Sequence, residues 1–166
     1  ALPFIGFWSS SGGLAQKDQF PFYLRLNPSN FNLAEAYASL IAGVPGWNRM
    51  AILVDDDQAY SGDLARRITS SVSARGGEVI YHGTVAANST WDDADQAAVH
   101  AKSLVAIGAR LMFIESLSNW TVAAIMKALE AEGATGEGFA FILGETANLV
   151  DLRGTTVMHG GIAIVQ

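Results

Sequence analysis

The stretch from residue 49 to residue 83, RMAILVDDDQAYSGDLARRITSSVSARGGEVIYHG, decides the fold. It opens with Arg49–Val54, a nearly continuous apolar run that predicts a buried strand. A helical pattern then begins near Asp63 and stops at Gly76-Gly77, and Glu78–Gly83 predicts a second strand. Because both strands are apolar along their length and a helix separates them, they are predicted to pair in parallel within a buried sheet.

The same alternation of strands and helices continues on both sides of this unit. Helical periodicity recurs at about residues 33–41, 97–105 and 122–129, with Asp92 or Asp93 as the predicted cap of the second helix and Asn119 of the third. Further strands are predicted at Leu2–Trp8, Arg110–Ile114, Phe139–Leu143, Gly161–Val165 and, as a short one, Phe22–Leu26. The sequence therefore predicts an α/β fold with a doubly wound, mainly parallel sheet and helices on both faces.

The composition restricts the classes of function. The chain has 166 residues and is 50% hydrophobic, enough to bury one core as a single domain or large lobe. Its 16 acidic and 10 basic residues give a net charge of -6, which disfavours nucleic acid as a partner. The absence of cysteine excludes a disulfide framework, a thiolate zinc site and a cysteine nucleophile within these residues. No cofactor is predicted.

In a sheet of this type, ligands bind beyond the carboxyl ends of the strands, so the segments at those ends are the places to search for chemistry. Asp55-Asp56-Asp57 follows a buried strand, and such carboxylates are able to bind magnesium or accept a phosphoryl group. An acidic turn is the favoured interpretation, because Lys127 lies inside a helical pattern and not after a last strand, where a phosphoryl-accepting receiver domain needs it.

The histidines and serines likewise lack the spacing of an active site. His82, His100 and His159 show no metal-ligand spacing, and His100 is interpreted as a residue of a polar helix face. The run Ser9–Ser11 lacks a Gly-x-Ser-x-Gly elbow, but its hydroxyl groups and the free N–H groups near Gly12 suit a small carboxylate. The sequence therefore predicts a binding module and no enzyme.

Longer segments carry a resemblance to a known family. PFIGFWSSSGGLAQKDQFPFYLRLNPSN (residues 3–30), followed by GWNRMAILVDDDQAYSGDLARRI (residues 46–68), closely resembles the receptor-family ligand-binding region, a periplasmic-binding-protein type 1 fold. That family includes ectodomains of metabotropic glutamate and GABA-B type receptors, natriuretic-peptide receptor cyclases and branched-chain amino-acid binding proteins. The similarity continues through ARGGEVIYHGTV, GARLMFIES, EGATGEGFAFILGE and GGIAIV.

The resemblance implies a two-lobed "Venus flytrap" domain that closes on a small molecule. Residues 1–17 resemble the end of the first lobe with the first hinge crossover, and residues 18–166 the second lobe, ending near the next crossover. The implied role is an extracellular sensing domain of a transmembrane receptor, with the missing first lobe and a receptor dimer as partners. The alternative is a periplasmic solute-binding protein of an ABC-type amino-acid transporter. Asn88 and Asn119 begin sequons, as expected for a glycoprotein.

The resemblance also implies ligand contacts. In amino-acid-binding members, hydroxyl groups hold the α-carboxylate, an acidic residue holds the α-amino group and an aromatic residue lies over the ligand. Asn30 departs from the acidic pattern, because a neutral amide accepts a hydrogen bond from an ammonium group without neutralising it. The predicted ligand-binding residues are Ser9, Ser10, Ser11, Asn30, Tyr60, Glu115, Ser116 and Glu145.

Overall fold

A computed structural model of the chain describes residues 3–6, 10–55, 60–86, 94–116, 118–144 and 161–163. Strands and α-helices alternate along most of this length, as the sequence predicts. The strands are β1 (Phe4–Gly6), β2 (Tyr23–Arg25), β3 (Arg49–Asp55), β4 (Glu78–Val85), β5 (Leu111–Glu115), β6 (Ala140–Leu143) and β7 (Gly161–Ala163). The α-helices are α1 (Asn30–Gly43), α2 (Ser61–Ser73), α3 (Ala94–Ala106) and α4 (Asn119–Ala131), and a 3-10 turn spans Gly12–Ala15.

Five of the strands form one parallel sheet in the order β4-β3-β5-β6-β7. The chain moves outward from β3 to β4 and then returns to the other side of β3 for β5. This reversal places a switch point between the carboxyl ends of β3 and β5, where Val54 is in register with Glu115. The predicted doubly wound α/β fold, as in one lobe of a periplasmic-binding-protein type 1 fold, is confirmed.

Alternate residues of each strand supply the two faces of the sheet, because successive side chains of a strand point to opposite sides. On one face Ile52 and Phe113 pack with residues of α1 and α2, and the Phe113 ring meets the Tyr37 ring edge-on at 5.1 Å between centroids. On the other face Leu53 and Ile114 pack with residues of α3 and α4. Two apolar cores therefore hold the sheet between two helical layers.

Serine side chains cap two of the helices, and the cap of α4 lies one residue before the predicted one. Ser29 caps α1, since its side chain accepts a hydrogen bond from the backbone N–H of Asn32. Ser118 caps α4 in the same way, and Asn119, the predicted cap, is the first helical residue. Serine suits this position because its short side chain reaches the free N–H groups of the first turn. The predicted caps of α3, Asp92 and Asp93, lie outside the described residues.

The segment Phe22–Leu26 forms the predicted short strand, but not in the main sheet. β2 pairs in parallel with β1, with Phe4 in register with Tyr23, and together they make a separate two-stranded sheet. One face of it carries the side chains of Ile5 and Leu24, which are 46% and 55% exposed. A parallel sheet is normally covered on both faces, so this small sheet presents an unusual apolar surface.

β4 extends past Gly83, where the sequence places its end, to Val85. Gly83 is required by close packing, since an added Cβ would lie 2.6 Å from Leu53 and 2.8 Å from Nδ1 of His100. His100 is not a simple polar-face residue, because its ring bridges α3 to β4: Nδ1 lies 2.7 Å from the Tyr81 hydroxyl and Nε2 lies 3.1 Å from the Thr84 carbonyl oxygen. A carbonyl oxygen only accepts, so neutral His100 carries its proton on Nε2.

Candidate ligand-binding site

The carboxyl ends of β3 and β5 bring two buried carboxylates to the switch point of the sheet. Asp55 ends β3 and Glu115 ends β5, and they are 0% and 1% exposed. The Glu115 carboxylate lies directly against Gly144 at the end of β6, where an added Cβ would overlap its oxygens. Ser116 follows Glu115 and is buried, and its hydroxyl oxygen accepts a hydrogen bond from the Ser118 N–H at 3.0 Å. Two predicted contacts, Glu115 and Ser116, therefore form one group.

The turn after β1 holds the second group of predicted residues. Ser10 is buried and Ser11 is partly buried. The guanidinium group of Arg25 donates to both of their carbonyl oxygens, at 2.9 Å and 2.6 Å. The Ser10 carbonyl oxygen also accepts the backbone N–H of Asn30 at 2.8 Å. This turn is therefore fixed through its backbone carbonyl groups. Ser9 lies outside the described residues.

Asn30 joins the turn to the beginning of α2. The residue has no exposed surface. Its side-chain NH₂ group donates to the Tyr60 carbonyl oxygen at 3.2 Å and to Asp63 Oδ2 at 3.3 Å. Its carbonyl oxygen, Oδ1, is buried and accepts no hydrogen bond from the part of the chain that the structure describes. Tyr60 makes this contact through its main chain; the residue is partly buried and immediately precedes α2.

Behind Asn30 lies a charged pair that no sequence motif indicates, Asp63 and Arg67. Asp63 Oδ2 accepts a hydrogen bond from Arg67 Nε at 2.9 Å, and Arg66 lies 3.6 Å from the other carboxylate oxygen. Burial acts to raise the pKa of Asp63. The hydrogen bond and charge of Arg67 lower it, as do the hydrogen bond from Asn30 and the charge of Arg66. Together these contacts outweigh burial, so the pKa of Asp63 is lowered. Asp63 is therefore ionised at neutral pH.

The Arg67–Asp63 pair also packs against the turn after β1. A Cβ added to Gly12 would overlap the Arg67 guanidinium group and come within 3.0 Å of Asp63 Oδ2. Only glycine leaves room for so close an approach of backbone to side chain. The Ser10–Gly12 turn is thus held by Arg25 and by the Asp63–Arg67 pair. The i, i+4 spacing of Asp63 and Arg67 in the first turns of a helix is the sequence signal that would have identified the pair.

The predicted site residues therefore form two groups, one around Ser10, Ser11, Asn30 and Tyr60 and one around Glu115 and Ser116. Glu145 lies outside the described residues, as do Asp56 and Asp57 of the acidic run. Within the described ranges, no three histidine or acidic side chains gather as ligands for a metal ion. No helix in the same ranges is both long and apolar enough to cross a membrane.

Comparison with known proteins agrees with this architecture. The family described as "Receptor family ligand binding region" (ANF_receptor) matches residues 1–164, which is nearly the whole chain. No curated protein matches the chain. The family match and the parallel α/β sheet with helices on both faces support one conclusion: the chain belongs to the receptor-family ligand-binding region family.

Proposed function

We propose that the chain is most of one lobe of an extracellular sensing domain, which signals from a transmembrane receptor by closing on a small molecule. The observation that carries the proposal is the set of hydrogen bonds around Asn30. Here three segments that are distant in sequence, the Ser10–Gly12 turn, the start of α1 and the start of α2, meet through direct hydrogen bonds beside the carboxyl end of β3.

The small sheet of β1 and β2 supports the presence of a second lobe. Phe22, Leu24 and Leu26 alternate along the chain and are 51%, 55% and 69% exposed, and Ile5 lies beside Leu24 on the same face. Ile5 and Leu24 are in register on this sheet, and Phe22 and Leu26 directly flank β2, so we infer that the four side chains form one apolar surface. We infer that the first lobe covers this surface, and that the first lobe includes β2 as well as β1. The crossover into the second lobe would then follow Arg25.

Ligand is proposed to bind between the lobes, near the Ser10–Gly12 turn. A carboxylate there would receive hydrogen bonds from the hydroxyl groups of Ser9, Ser10 and Ser11, while Asn30 and Tyr60 would contact the adjoining part of the ligand. Glu115, Ser116 and Glu145 would complete the wall at the ends of β5 and β6. Binding shifts the equilibrium toward the closed state only to the extent that the closed state binds more tightly. A receptor dimer would transmit that closure across the membrane.

Calorimetry on the complete ligand-binding region, with the first lobe present, tests the proposal. A panel of amino acids and small carboxylates should contain a ligand whose binding falls by about tenfold or more in Ser10→Ala, as for a hydrogen bond to a charged group. Ser39→Ala, on the outer part of α1, is the matched control and should bind as the wild type does. The 166-residue chain alone should bind the same ligand much more weakly. Equal affinity of the chain and the complete region would contradict a cleft between two lobes.

A further inference from the structure

One backbone oxygen receives hydrogen bonds from two separate parts of the molecule. The Ser10 carbonyl oxygen accepts from the Arg25 guanidinium group at 2.9 Å and from the backbone N–H of Asn30 at 2.8 Å. Arg25 is the last residue of β2, in the small sheet, whereas Asn30 is the first residue of α1, which packs on the main sheet. This oxygen therefore connects the small sheet directly to the helical layer of the main sheet.

The small sheet holds the Arg25 side chain. Tyr23 and Arg25 lie on the same face of β2, since residues two apart in a strand share a face. The guanidinium carbon lies 5.7 Å from the centre of the Tyr23 ring, and that ring stacks on Phe4 of β1 at 5.8 Å between centroids. A second hydrogen bond of 2.6 Å, to the Ser11 carbonyl oxygen, fixes the plane of the guanidinium group. We therefore expect Arg25 to move with the small sheet.

The turn that accepts these bonds is also held by the helices of the main sheet. The backbone N–H of Asn30, at the start of α1, donates to it. On the other side Gly12 lies so close to the Arg67 guanidinium group of α2 that an added Cβ would overlap it. Arg67 is fixed in turn by its 2.9 Å contact with Asp63. We therefore expect the turn to move with α1 and α2.

The covalent connection between the small sheet and α1 is short. The Leu26 N–H still donates to the Gly6 carbonyl oxygen of β1 at 3.2 Å, and α1 begins at Asn30, so only residues 27–29 connect the two. The ring of Pro28 fixes its own φ angle, which leaves few backbone angles able to change. Any rotation of the small sheet relative to α1 must bend the chain here, and the guanidinium bonds to the turn lie across this bend.

We propose that the Ser10 carbonyl oxygen is the pivot of the hinge between the two lobes and that Arg25 is the residue that holds the first lobe to it. This inference rests on the proposed function, which assigns β1 and β2 to the first lobe. Two hydrogen bonds from one planar guanidinium group are directional, so they restrict the angle between the lobes. A narrow range of angles in the ligand-free state leaves less freedom to lose when the lobes close.

The test measures distances between the lobes in the ligand-free, complete ligand-binding region by double electron–electron resonance. One spin label is attached at Gln19→Cys, in the loop that Lys17 ties to the Tyr23 carbonyl oxygen, and the other at Lys102→Cys on α3; both positions are exposed. In Arg25→Ala the distance distribution should widen by about twofold or more, because both hydrogen bonds to the turn are lost. Arg25→Lys keeps the charge without the planar fork and should give an intermediate width. An unchanged width in Arg25→Ala would overturn the proposal.

Two controls separate the hinge from general loss of structure. Arg49→Ala removes an exposed 3.2 Å pair with Glu78 at the opposite end of β3 and should leave the width unchanged. A second label pair, Ser73→Cys with Lys102→Cys, lies within one lobe and should give the same distribution in the wild type and in Arg25→Ala. Widening of both label pairs would mean that Arg25 stabilises the lobe itself, and the hinge role would be wrong. The measurement needs no ligand, so it stands even if calorimetry finds no small carboxylate that binds.

Discussion

Replacing Asn30 with aspartate is expected to destabilise this chain. Asn30→Asp converts the NH₂ group into a carboxylate oxygen at nearly the same place. The new oxygen would lie about 3.2 Å from the Tyr60 carbonyl oxygen and about 3.3 Å from Asp63 Oδ2, the distances that the nitrogen has now. Two attractive contacts would thus become two repulsive ones, in a side chain with no exposed surface.

The size of the effect follows from these distances. Two unit charges 3.3 Å apart repel by about 5 kcal/mol at an effective dielectric constant of about 20. The two lost hydrogen bonds add about 1 kcal/mol each, and relaxation of the side chains with help from Arg67 reduces the total. We expect a loss of about 3–5 kcal/mol in the free energy of unfolding at pH 7. The free energy of unfolding of a typical domain is only about 5–15 kcal/mol, so this loss is large.

The loss should also depend on pH. In Asn30→Asp the two neighbouring carboxylates share a site, which raises the pKa of one of them in the folded protein above its unfolded value of about 3.9. The folded variant then binds a proton that the unfolded chain does not hold, so the penalty is full above the raised pKa and shrinks as the pH falls toward about 4. Urea unfolding of the complete ligand-binding region at pH 7.5 and pH 5 measures both the loss and its pH dependence.

Two control variants separate the charge from the loss of the amide. Asn30→Ala removes the hydrogen bonds without adding a charge, so its loss of stability should vary with pH much less than that of Asn30→Asp. The double variant Asn30→Asp with Asp63→Asn restores one donor and one acceptor and should recover at least half of the lost stability. A loss below about 1 kcal/mol in Asn30→Asp, or the same loss at both pH values, would refute the arrangement described around Asn30.

Four further outcomes are expected from unfolding measurements. Gly144→Ala should cost about 2 kcal/mol or more, because the new methyl group meets the buried carboxylate at the end of β5, whereas Gly43→Ala, at the open end of α1, should be neutral or slightly stabilising. Ser29→Ala should cost about 1 kcal/mol through loss of the α1 cap. Phe113→Ala should cost about 3–5 kcal/mol, since this ring fills the core under α1. Asp63→Asn should be most destabilising at neutral pH and should lose its effect as the pH falls through the lowered pKa of Asp63. The reason is that the ionised carboxyl group stabilises the fold only above that range. A difference in unfolding free energy between variant and wild type that stays constant across pH would contradict the ion pair.

Local sequence patterns predicted the secondary structure well where the chain is continuously apolar. The strand at Arg49–Val54 appears as β3, one residue longer, and the helix expected from about Asp63 begins two residues earlier at Ser61. Such runs have one favourable environment, the interior of a sheet covered on both faces, so they indicate both the strand and its parallel pairing. The pattern does not fix which residue caps α4, because the neighbouring Ser118 and Asn119 are both good capping residues.

The partners of polar residues could not be predicted in the same way. The order of motifs singles out Asn30, yet its contacts come from Tyr60 and Asp63, 30 and 33 residues away in the chain. A side chain at one position of a sequence carries no information about which distant carboxylate will face it, since that depends on how helices pack against a sheet. The separate pairing of β1 with β2 is a similar case, because short apolar strands fit either sheet equally well.

The sequence by itself determined the α/β class, the parallel sheet and the family, since these depend on the order of apolar runs and motifs along the chain. Tertiary structure alone decided which polar groups meet. It placed Arg67 against Gly12, turned the Asn30 amide toward Asp63, and laid Glu115 against Gly144. The physical reason is the range of the interactions. The periodicity of apolar residues along the chain indicates which side chains are buried. A hydrogen bond instead requires two atoms within about 3 Å of each other, and only the complete packing of the chain brings them together.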